Sequence, residues 1–166
     1  MKNTLLILSV GFLLFSCGDG NSSSNAKENK NLKEVVIERY SEGDKKIVGF
    51  YDGEGSNEVI VKRVHYYSQN DGGGKLLEEN YKNGKLEGTK LRWSSDGAKI
   101  NEANYKNGKL HGKYLSWFSD GRISTVTNYK NGKEDGVHKG YGFIVNKYTL
   151  LSHRIYRDDE VIKKIK

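Results

Sequence analysis

From residue 34 onward, apolar and aromatic residues alternate with polar ones over short segments that end at Asn-Gly or Asp-Gly pairs. Leu91 and Trp93 share one parity within their segment, as do Leu115 and Trp117 in the next. Period-two alternation between turn signals is typical of β-strands with one face more buried than the other. The pattern predicts an all-β protein of short antiparallel strands.

The turn signals recur at a fixed interval. The sequence Asn-Tyr-Lys-Asn-Gly-Lys occupies residues 80–85, 104–109 and 128–133, a period of 24 residues. An Asn-Gly pair favours a two-residue type I′ turn, because both central positions need positive φ. The Asp-Gly pairs at 96–97 and 120–121 predict a second two-residue turn inside each unit. One unit is therefore predicted to be one β-hairpin, and successive hairpins to form an antiparallel meander.

Each unit carries a tyrosine, a glycine and an aromatic residue at fixed places. We expect the aromatics to form a stacking seam between hairpins, although aligned aromatics also suit glycan or peptide binding. The clearest repeats span 80–141, and degenerate units at both ends of 34–166 are expected to act as caps. The structural repeat positions are Tyr81, Gly84, Trp93, Tyr105, Gly108, Trp117, Tyr129, Gly132 and Tyr141.

The stretch Asn-Tyr-Lys-Asn-Gly-Lys-Leu-His-Gly-Lys-Tyr-Leu-Ser-Trp, residues 104–117, resembles the bacterial variant of MORN repeats. That pattern runs tyrosine, two residues, Gly-Lys, two residues, glycine and then an aromatic. The resemblance covers roughly residues 65–160 and implies a non-catalytic binding module, protein-binding and in some cases phospholipid-associated. Many such chains are labelled YwqK-type antitoxins, which implies neutralisation of a toxin by direct binding.

The first residues predict export. Lys2 precedes an apolar stretch, residues 5–15, that is too short to span a bilayer comfortably. Leu-Phe-Ser-Cys at 14–17 resembles a lipoprotein lipobox, so residues 1–16 are predicted to be a signal peptide and Cys17 to be acylated, anchoring the chain to a membrane. An ordinary signal peptide that ends near a cysteine is the alternative.

The residue after the cysteine is Gly18 rather than aspartate, which favours the outer membrane in an organism that has one. Cys17 is also the only cysteine, so no disulfide forms within the chain. Residues 17–33 contain almost nothing apolar and are expected to be a flexible tether.

Composition limits the core of the remaining domain. Hydrophobic residues make up 35% of the chain and charged residues 30%, with a mean hydropathy of -0.76. Proline is absent and glycine numbers 20, which suits a sheet with many tight turns. A thick core with two fully buried faces is not expected.

The sequence shows no catalytic constellation, and we expect neither an enzyme nor a cofactor. Four histidines are too scattered for a zinc site and are interpreted as surface residues: His65, His111, His138 and His153. Residues 51–58 weakly suggest a calcium loop but lack the glycine and the final acid of an EF-hand. An envelope-modifying enzyme remains the least favoured alternative.

Charge gives the clearest functional clue. The net charge is +7, or +6 once Lys2 is removed with the signal peptide. If the hairpins stack in register, the lysines beside the Asn-Gly turns form a basic stripe that attracts anionic headgroups, acidic polysaccharide or an acidic protein. The alternative is that they only keep the turns solvated. These candidate binding residues are Lys82, Lys85, Lys106, Lys109, Lys130 and Lys133.

These features together predict a lipid-anchored protein of the cell envelope that acts as a non-catalytic binding or scaffolding module. Its partner is predicted to be a protein or an anionic envelope ligand, and its location disfavours nucleic acid. An antitoxin or immunity protein that binds a toxin is the alternative.

Overall fold

A computed structural model describes residues 32–166 of the chain. Those residues form twelve β-strands and two single-turn 3₁₀-helices, at Gly55–Asn57 and Gln69–Asp71. The strands are β1 (Lys33–Arg39), β2 (Lys45–Asp52), β3 (Val59–Tyr66), β4 (Lys75–Lys82), β5 (Lys85–Leu86), β6 (Gly88–Trp93), β7 (Lys99–Lys106), β8 (Lys109–Trp117), β9 (Ile123–Lys130), β10 (Lys133–Ile144), β11 (Lys147–Arg157) and β12 (Glu160–Lys164).

All the strands belong to one sheet in which spatial order follows chain order. The path runs β1-β2-β3-β4-β6-β7-β8-β9-β10-β11-β12, and the short β5 pairs only with β4. Every pairing is antiparallel. The predicted all-β antiparallel meander of hairpins is confirmed, while the 24-residue period stays a description of the sequence. β1 begins at Lys33, so the first strand includes the last residue of the predicted tether.

The Asn-Gly turns have the predicted backbone conformation. Asn83, Asn107 and Asn131 have φ of 51°, 50° and 53°, and the glycine after each also has positive φ. The Asp158-Asp159 pair, with φ of 49° and 73°, forms the corresponding turn between β11 and β12. Asparagine and aspartate tolerate this region better than other non-glycine residues, so these pairs set the turn positions.

The prediction of two-residue turns at the Asp-Gly pairs is wrong. Ser94 N donates to Ala98 O at 2.9 Å, and Gly97 N donates to Ser94 O at 3.0 Å. The connection therefore has three residues, and only Gly97 has positive φ. This is a turn followed by a left-handed glycine, the usual form of a three-residue hairpin loop. The loop from Phe118 to Arg122 repeats the arrangement.

The third hairpin is longer than the two before it. β10 has 12 residues and β11 has 11, against nine for β8 and eight for β9. Its turn lies at Val145-Asn146, with φ of 47° and 60°, where no Asn-Gly or Asp-Gly signal occurs. Tyr141, expected at the tryptophan place, stacks on Tyr148 with ring centroids 5.3 Å apart.

The core is thin, as the composition predicts. Among residues 32–166 the buried hydrophobic side chains are Val48, Val64 and Ala103, at 0%, 1% and 4% exposure. Val48 and Val64 are cross-strand partners in β2 and β3. Most other side chains in the strands are half-buried, because the sheet has no second layer over it within the described residues.

The tyrosines do not form the predicted seam. β6 lies between β4 and β7, and β8 lies between β7 and β9, so a strand separates Tyr81 from Tyr105 and Tyr105 from Tyr129. Tyr129 instead contacts Tyr114 edge-on, with ring centroids 6.3 Å apart. Equivalent strands of neighbouring hairpins are two strand spacings apart, which is too far for direct ring stacking.

The tryptophans also differ from the seam prediction. Lys75 Nζ lies 5.8 Å from the ring centroid of Trp93, and Lys99 Nζ lies 5.6 Å from that of Trp117. Each indole is therefore covered by a lysine from a neighbouring strand, a cation–π contact that stabilises the sheet without a second aromatic.

Candidate functional site

The six candidate lysines lie in pairs that face each other across the Asn-Gly turns. Lys82 is the Cα partner of Lys85, and the two later turns hold the equivalent pairs Lys106–Lys109 and Lys130–Lys133. All six residues are exposed. We call this set of six residues the lysine edge.

The turns are linked to one another in register. Gly108 N donates to Leu86 O at 2.8 Å, and Gly132 N donates to Leu110 O at 2.8 Å. A Cβ placed on either glycine would lie 3.9 Å from the Cβ of Lys85 or Lys109, in ordinary van der Waals contact. The second and third turns therefore each pack against the strand start that follows the previous turn. This arrangement places the lysine pairs at one edge, roughly 10 Å apart for two strand spacings.

Asparagine side chains fix the strands that lead into these turns. Asn80 Nδ2 donates to Thr89 O at 2.6 Å, and Asn104 Nδ2 donates to Lys113 O at 2.9 Å. The Asn80 bond crosses the irregular stretch where β4 changes partner from β5 to β6. The Asn104 bond crosses the corresponding break in the β7–β8 pairing. In the first two copies, the first asparagine of the repeated hexapeptide therefore has a structural role that its sequence position did not reveal.

About half of the described lysines outside the lysine edge have acidic partners. Seven of them lie 2.6 to 3.5 Å from a glutamate oxygen: Lys33, Lys45, Lys46, Lys62, Lys75, Lys90 and Lys99. Within residues 32–166 no member of the lysine edge makes such an ion pair. The edge therefore presents six ammonium groups that make no ion pair within the described residues, and the one carboxylate bonded to the backbone of these turns is that of Glu87, on Asn107 N at 2.7 Å.

Acidic residues lie next to the lysine edge on its C-terminal side. In the next turn the closing pair is Arg157 and Glu160, and the turn residues are Asp158 and Asp159. Asp159 N donates to Glu134 O at 2.9 Å, and Glu134 N donates to an oxygen of the Asp159 carboxylate at 2.6 Å. This turn packs on its neighbour as the Asn-Gly turns do, but it carries the opposite charge.

A polar cluster that sequence reasoning missed lies in the sheet interior. Glu79 on β4 is 8% exposed, and its carboxylate lies 2.8 Å from Lys90 Nζ, 2.9 Å from Tyr81 Oη and 3.7 Å from His65 Nε2. The Arg63 guanidinium lies over the Tyr81 ring, 5.5 Å from its centroid. The available signal was parity, because Glu79 lies two residues from both Leu77 and Tyr81 and therefore shares their face of the strand, where an inward residue is expected.

The surroundings shift the pKa values of this cluster. Burial alone raises the pKa of Glu79, but hydrogen bonds from Lys90 and Tyr81 outweigh it and hold that pKa below the ordinary 4.5. Burial is also the largest influence on His65 and lowers its pKa below 6.5, against the opposing attraction of Glu79. Burial and the hydrogen bond to Glu79 raise the pKa of Tyr81. The cluster therefore favours ionised Glu79 beside neutral His65.

The histidines are not simple surface residues. All four are half-buried, and His138 Nδ1 lies 3.0 Å from Thr127 Oγ1. Within the described residues, the buried nitrogens His65 Nε2 and His111 Nδ1 have no hydrogen-bond partner. The structure places the four on separate strands, β3, β8, β10 and β11, and does not bring them together.

The described part of the chain contains no group of three or more His, Cys, Asp or Glu residues placed to hold a metal ion. In the weak calcium-loop candidate, Asp52 accepts a hydrogen bond from Gly53 N at 3.0 Å, and Glu58 pairs with Lys33 at 2.7 Å. Both carboxylates thus have contacts that fit an ordinary connecting loop.

The predicted signal peptide, the acylated Cys17 and nearly all of the predicted tether lie outside the described residues. None of the helices in residues 32–166 has the length and apolar character needed to cross a membrane. Searches of protein-family models and of curated proteins found no match to this chain.

Proposed function

We propose that this protein is a lipid-anchored, non-catalytic binding module of the cell envelope, and that its lysine edge is the surface that binds an anionic partner. The observation that carries the proposal is the stacking of three turns that present three opposed and exposed lysine pairs, none of which makes an ion pair within residues 32–166. The resemblance to MORN repeats and the lipobox-like sequence at Cys17 support the class of protein and its anchoring.

The opposed arrangement of the lysines supports a binding role over simple solubility. Several lysines elsewhere in the described residues also lack ion pairs, but the three turns keep like charges directly opposite each other. Like charges at directly opposed positions destabilise a sheet, so the arrangement has a cost to the fold. An anionic ligand that spans the turns removes this repulsion on binding.

The geometry favours a partner with several negative charges. Lysine pairs roughly 10 Å apart suit a polymer or surface whose anionic groups can contact more than one turn at once. A single exposed pair contributes little, about 0–1 kcal/mol. Engagement of three pairs together gives useful affinity through effective concentration, and such binding weakens as salt is added.

Two charge-reversal variants test the proposal. The first carries Lys85→Glu, Lys109→Glu and Lys133→Glu, one residue from each pair of the lysine edge. The matched control carries Lys163→Glu, Lys164→Glu and Lys166→Glu, which change the net charge by the same amount at exposed lysines that also lack ion pairs within the described residues. Both variants should keep the circular dichroism and thermal melting of the wild type, since each exposed change costs under about 0.5 kcal/mol.

Binding is measured to vesicles containing phosphatidylglycerol and, separately, to a sulfated polysaccharide over a series of salt concentrations. We expect the wild type and the control to bind at least one anionic probe in a salt-dependent way, and the first variant to lose most of that binding. Equal loss in both variants would mean that net charge alone is responsible and that the lysine edge is not a site.

The antitoxin interpretation predicts a different result. A toxin that occupies the middle of a strand face would bind the first variant as well as the wild type, because the substitutions lie at strand ends beside the turns. Copurification of one cognate protein with both forms would favour this second candidate over the lysine edge.

A further inference from the structure

The three Asn-Gly turns are chemically identical but differ in their hydrogen bonds. Each lies in the sequence Tyr-Lys-Asn-Gly-Lys, and all three asparagines are exposed with φ between 50° and 53°. The N–H of Gly108 donates to Leu86 O and that of Gly132 to Leu110 O. Within residues 32–166, the N–H of Gly84 makes no hydrogen bond, and nothing lies within 4 Å of a Cβ placed on that glycine.

The difference follows from the position of the first turn in the sheet. The second and third turns each pack against the strand start that follows an earlier Asn-Gly turn. The connection before Asn83-Gly84 at that edge is the loop from Gly53 to Glu58, which contains a 3₁₀-helix. The loop supplies no acceptor to the Gly84 N–H, so the first turn lacks the support that the others have.

We propose that Asn83 is a site of spontaneous deamidation, and that it reacts faster than Asn107 and Asn131 in the folded protein. In this reaction the backbone nitrogen of Gly84 attacks Cγ of Asn83 and gives up its proton. The new N–Cγ bond forms as the Cγ–Nδ2 bond breaks, and Nδ2 leaves with that proton as ammonia. Water then opens the cyclic imide to give aspartate or isoaspartate, with no change in oxidation state.

The hydrogen bonds explain the selectivity. A glycine on the C-terminal side of asparagine has no side chain to hinder the attack, and this applies equally to all three turns. The attacking nitrogen of Gly108 or Gly132 must first leave its carbonyl acceptor and move away from the neighbouring turn, whereas that of Gly84 need not. The loss of one hydrogen bond of ordinary net strength corresponds to a rate difference of about five- to tenfold.

Asn107 is held by a second contact. Its own N–H donates to the Glu87 carboxylate at 2.7 Å, in addition to the bond made by Gly108. The predicted order of rates is therefore Asn83, then Asn131, then Asn107.

Deamidation at Asn83 alters the lysine edge directly. It places a carboxylate between Lys82 and Lys85, and the isoaspartate form adds a methylene to the backbone of the tight turn. The first lysine pair of the edge is thus converted from a like-charge pair into a partly neutralised one as the protein ages.

The test compares deamidation at the three sites in the folded full chain and in the same chain unfolded in guanidinium. Samples are aged in mildly alkaline buffer, cleaved after glutamate and read by fragment-ion mass spectrometry. Cleavage at lysine is unsuitable, because it releases the same Asn-Gly-Lys peptide from every turn. We expect equal rates in the unfolded chain and an excess of about five- to tenfold at Asn83 in the folded chain.

Equal rates in the folded chain, or slower reaction at Asn83 than at either other site, would overturn the proposal. So would the absence of reaction at Asn83 in the folded chain while the unfolded chain reacts. A Glu87→Ala variant gives an independent check, because it removes only the second contact at Asn107. Its Asn107 rate should rise to that of Asn131 with no change at Asn83, and an unchanged Asn107 rate would contradict the role given to that contact.

Discussion

The Glu79 carboxylate lies 2.8 Å from the Lys90 ammonium across β4 and β6, in the interior of a sheet whose core is otherwise small. Tyr81 donates a second hydrogen bond to the same carboxylate. One buried charge thus connects β4 with β6 where the ladder is short, since the β4–β6 register contains only Leu77–Arg92 and Glu78–Leu91.

Replacement of Glu79 by alanine should destabilise the protein by about 1–3 kcal/mol, because Lys90 and Tyr81 lose their partner in a half-buried environment. Urea denaturation gives the change in the free energy of unfolding. Glu102→Ala is the matched control, since the Glu102 carboxylate is more exposed than that of Glu79 and its ion pair with Lys99 is long, at 3.5 Å. It should cost under about 0.5 kcal/mol. Equal losses in the two variants would show that the cluster has no special role.

Stability should fall on mild acidification because of His65. Burial holds the folded-state pKa of His65 below 6.5, so the unfolded chain binds more protons in the window below that value. The stabilisation is therefore fully present above pH 6.5 and is lost as the pH falls through the lowered pKa. Glu79, Arg63 and Lys90 face this ring, and the two cations oppose its protonation.

Denaturation midpoints measured across that window check the sign. The wild type should lose stability as the pH falls from neutrality, and a His65→Gln variant should show a flatter profile over the same range. A further loss at more acidic pH, below the ordinary carboxyl value of 4.5, should persist in both proteins because the pKa values of Glu78 and Glu79 are lowered in the fold. If stability depended on pH in the same way in both proteins above pH 4.5, His65 would be excluded as the cause of the loss on mild acidification.

Gly136 should be intolerant of a side chain. Its φ is +105°, and a Cβ there would lie 3.1 Å from Nδ2 and 3.3 Å from Cβ of Asn128. Gly136→Ala should cost about 1–2 kcal/mol from backbone strain alone. Gly74→Ala is the control, because Gly74 has ordinary φ and nothing within 4 Å of the added atom. That variant should change the unfolding free energy by less than about 0.5 kcal/mol, and equal costs in both would contradict the strain argument.

Val145 is a position where substitution should stabilise the protein. A β-branched residue is unfavourable at its φ of 47°, and its side chain is 94% exposed, so no packing offsets the strain. Val145→Asn should raise the unfolding free energy by about 1 kcal/mol, because asparagine suits the first position of a type I′ turn. Val59→Asn, at an exposed strand position, should give no such gain. A melting temperature unchanged by Val145→Asn would show that the strain is negligible.

The sequence predicts the local parts of this fold well. Asn83-Gly84 and its two copies determine turn positions through the φ values that asparagine and glycine tolerate, and alternation around Leu91 and Leu115 predicts the strands between them. The turn at Val145-Asn146 could not be predicted, because valine disfavours that conformation and only the long pairing of β10 with β11 imposes it.

The relationships between strands were harder to predict. The Glu79 cluster joins His65, Glu79 and Lys90 from three strands, and no local pattern places them together. The prediction of a tyrosine seam was wrong for the same reason, since sequence spacing does not reveal that another strand lies between equivalent residues. The lysine edge was predicted on the condition of in-register stacking, and the hydrogen bond from Gly108 to Leu86 supplies the contact that satisfies it.

Binding at the lysine edge is tested in living cells by crosslinking followed by affinity purification and mass spectrometry. The wild type, the Lys85→Glu, Lys109→Glu and Lys133→Glu variant, and the Lys163→Glu, Lys164→Glu and Lys166→Glu control are compared at matched abundance. We expect a partner or anionic envelope component that is captured by the wild type and the control and is lost from the lysine-edge variant. Undiminished capture of the same partner by the lysine-edge variant would contradict this expectation.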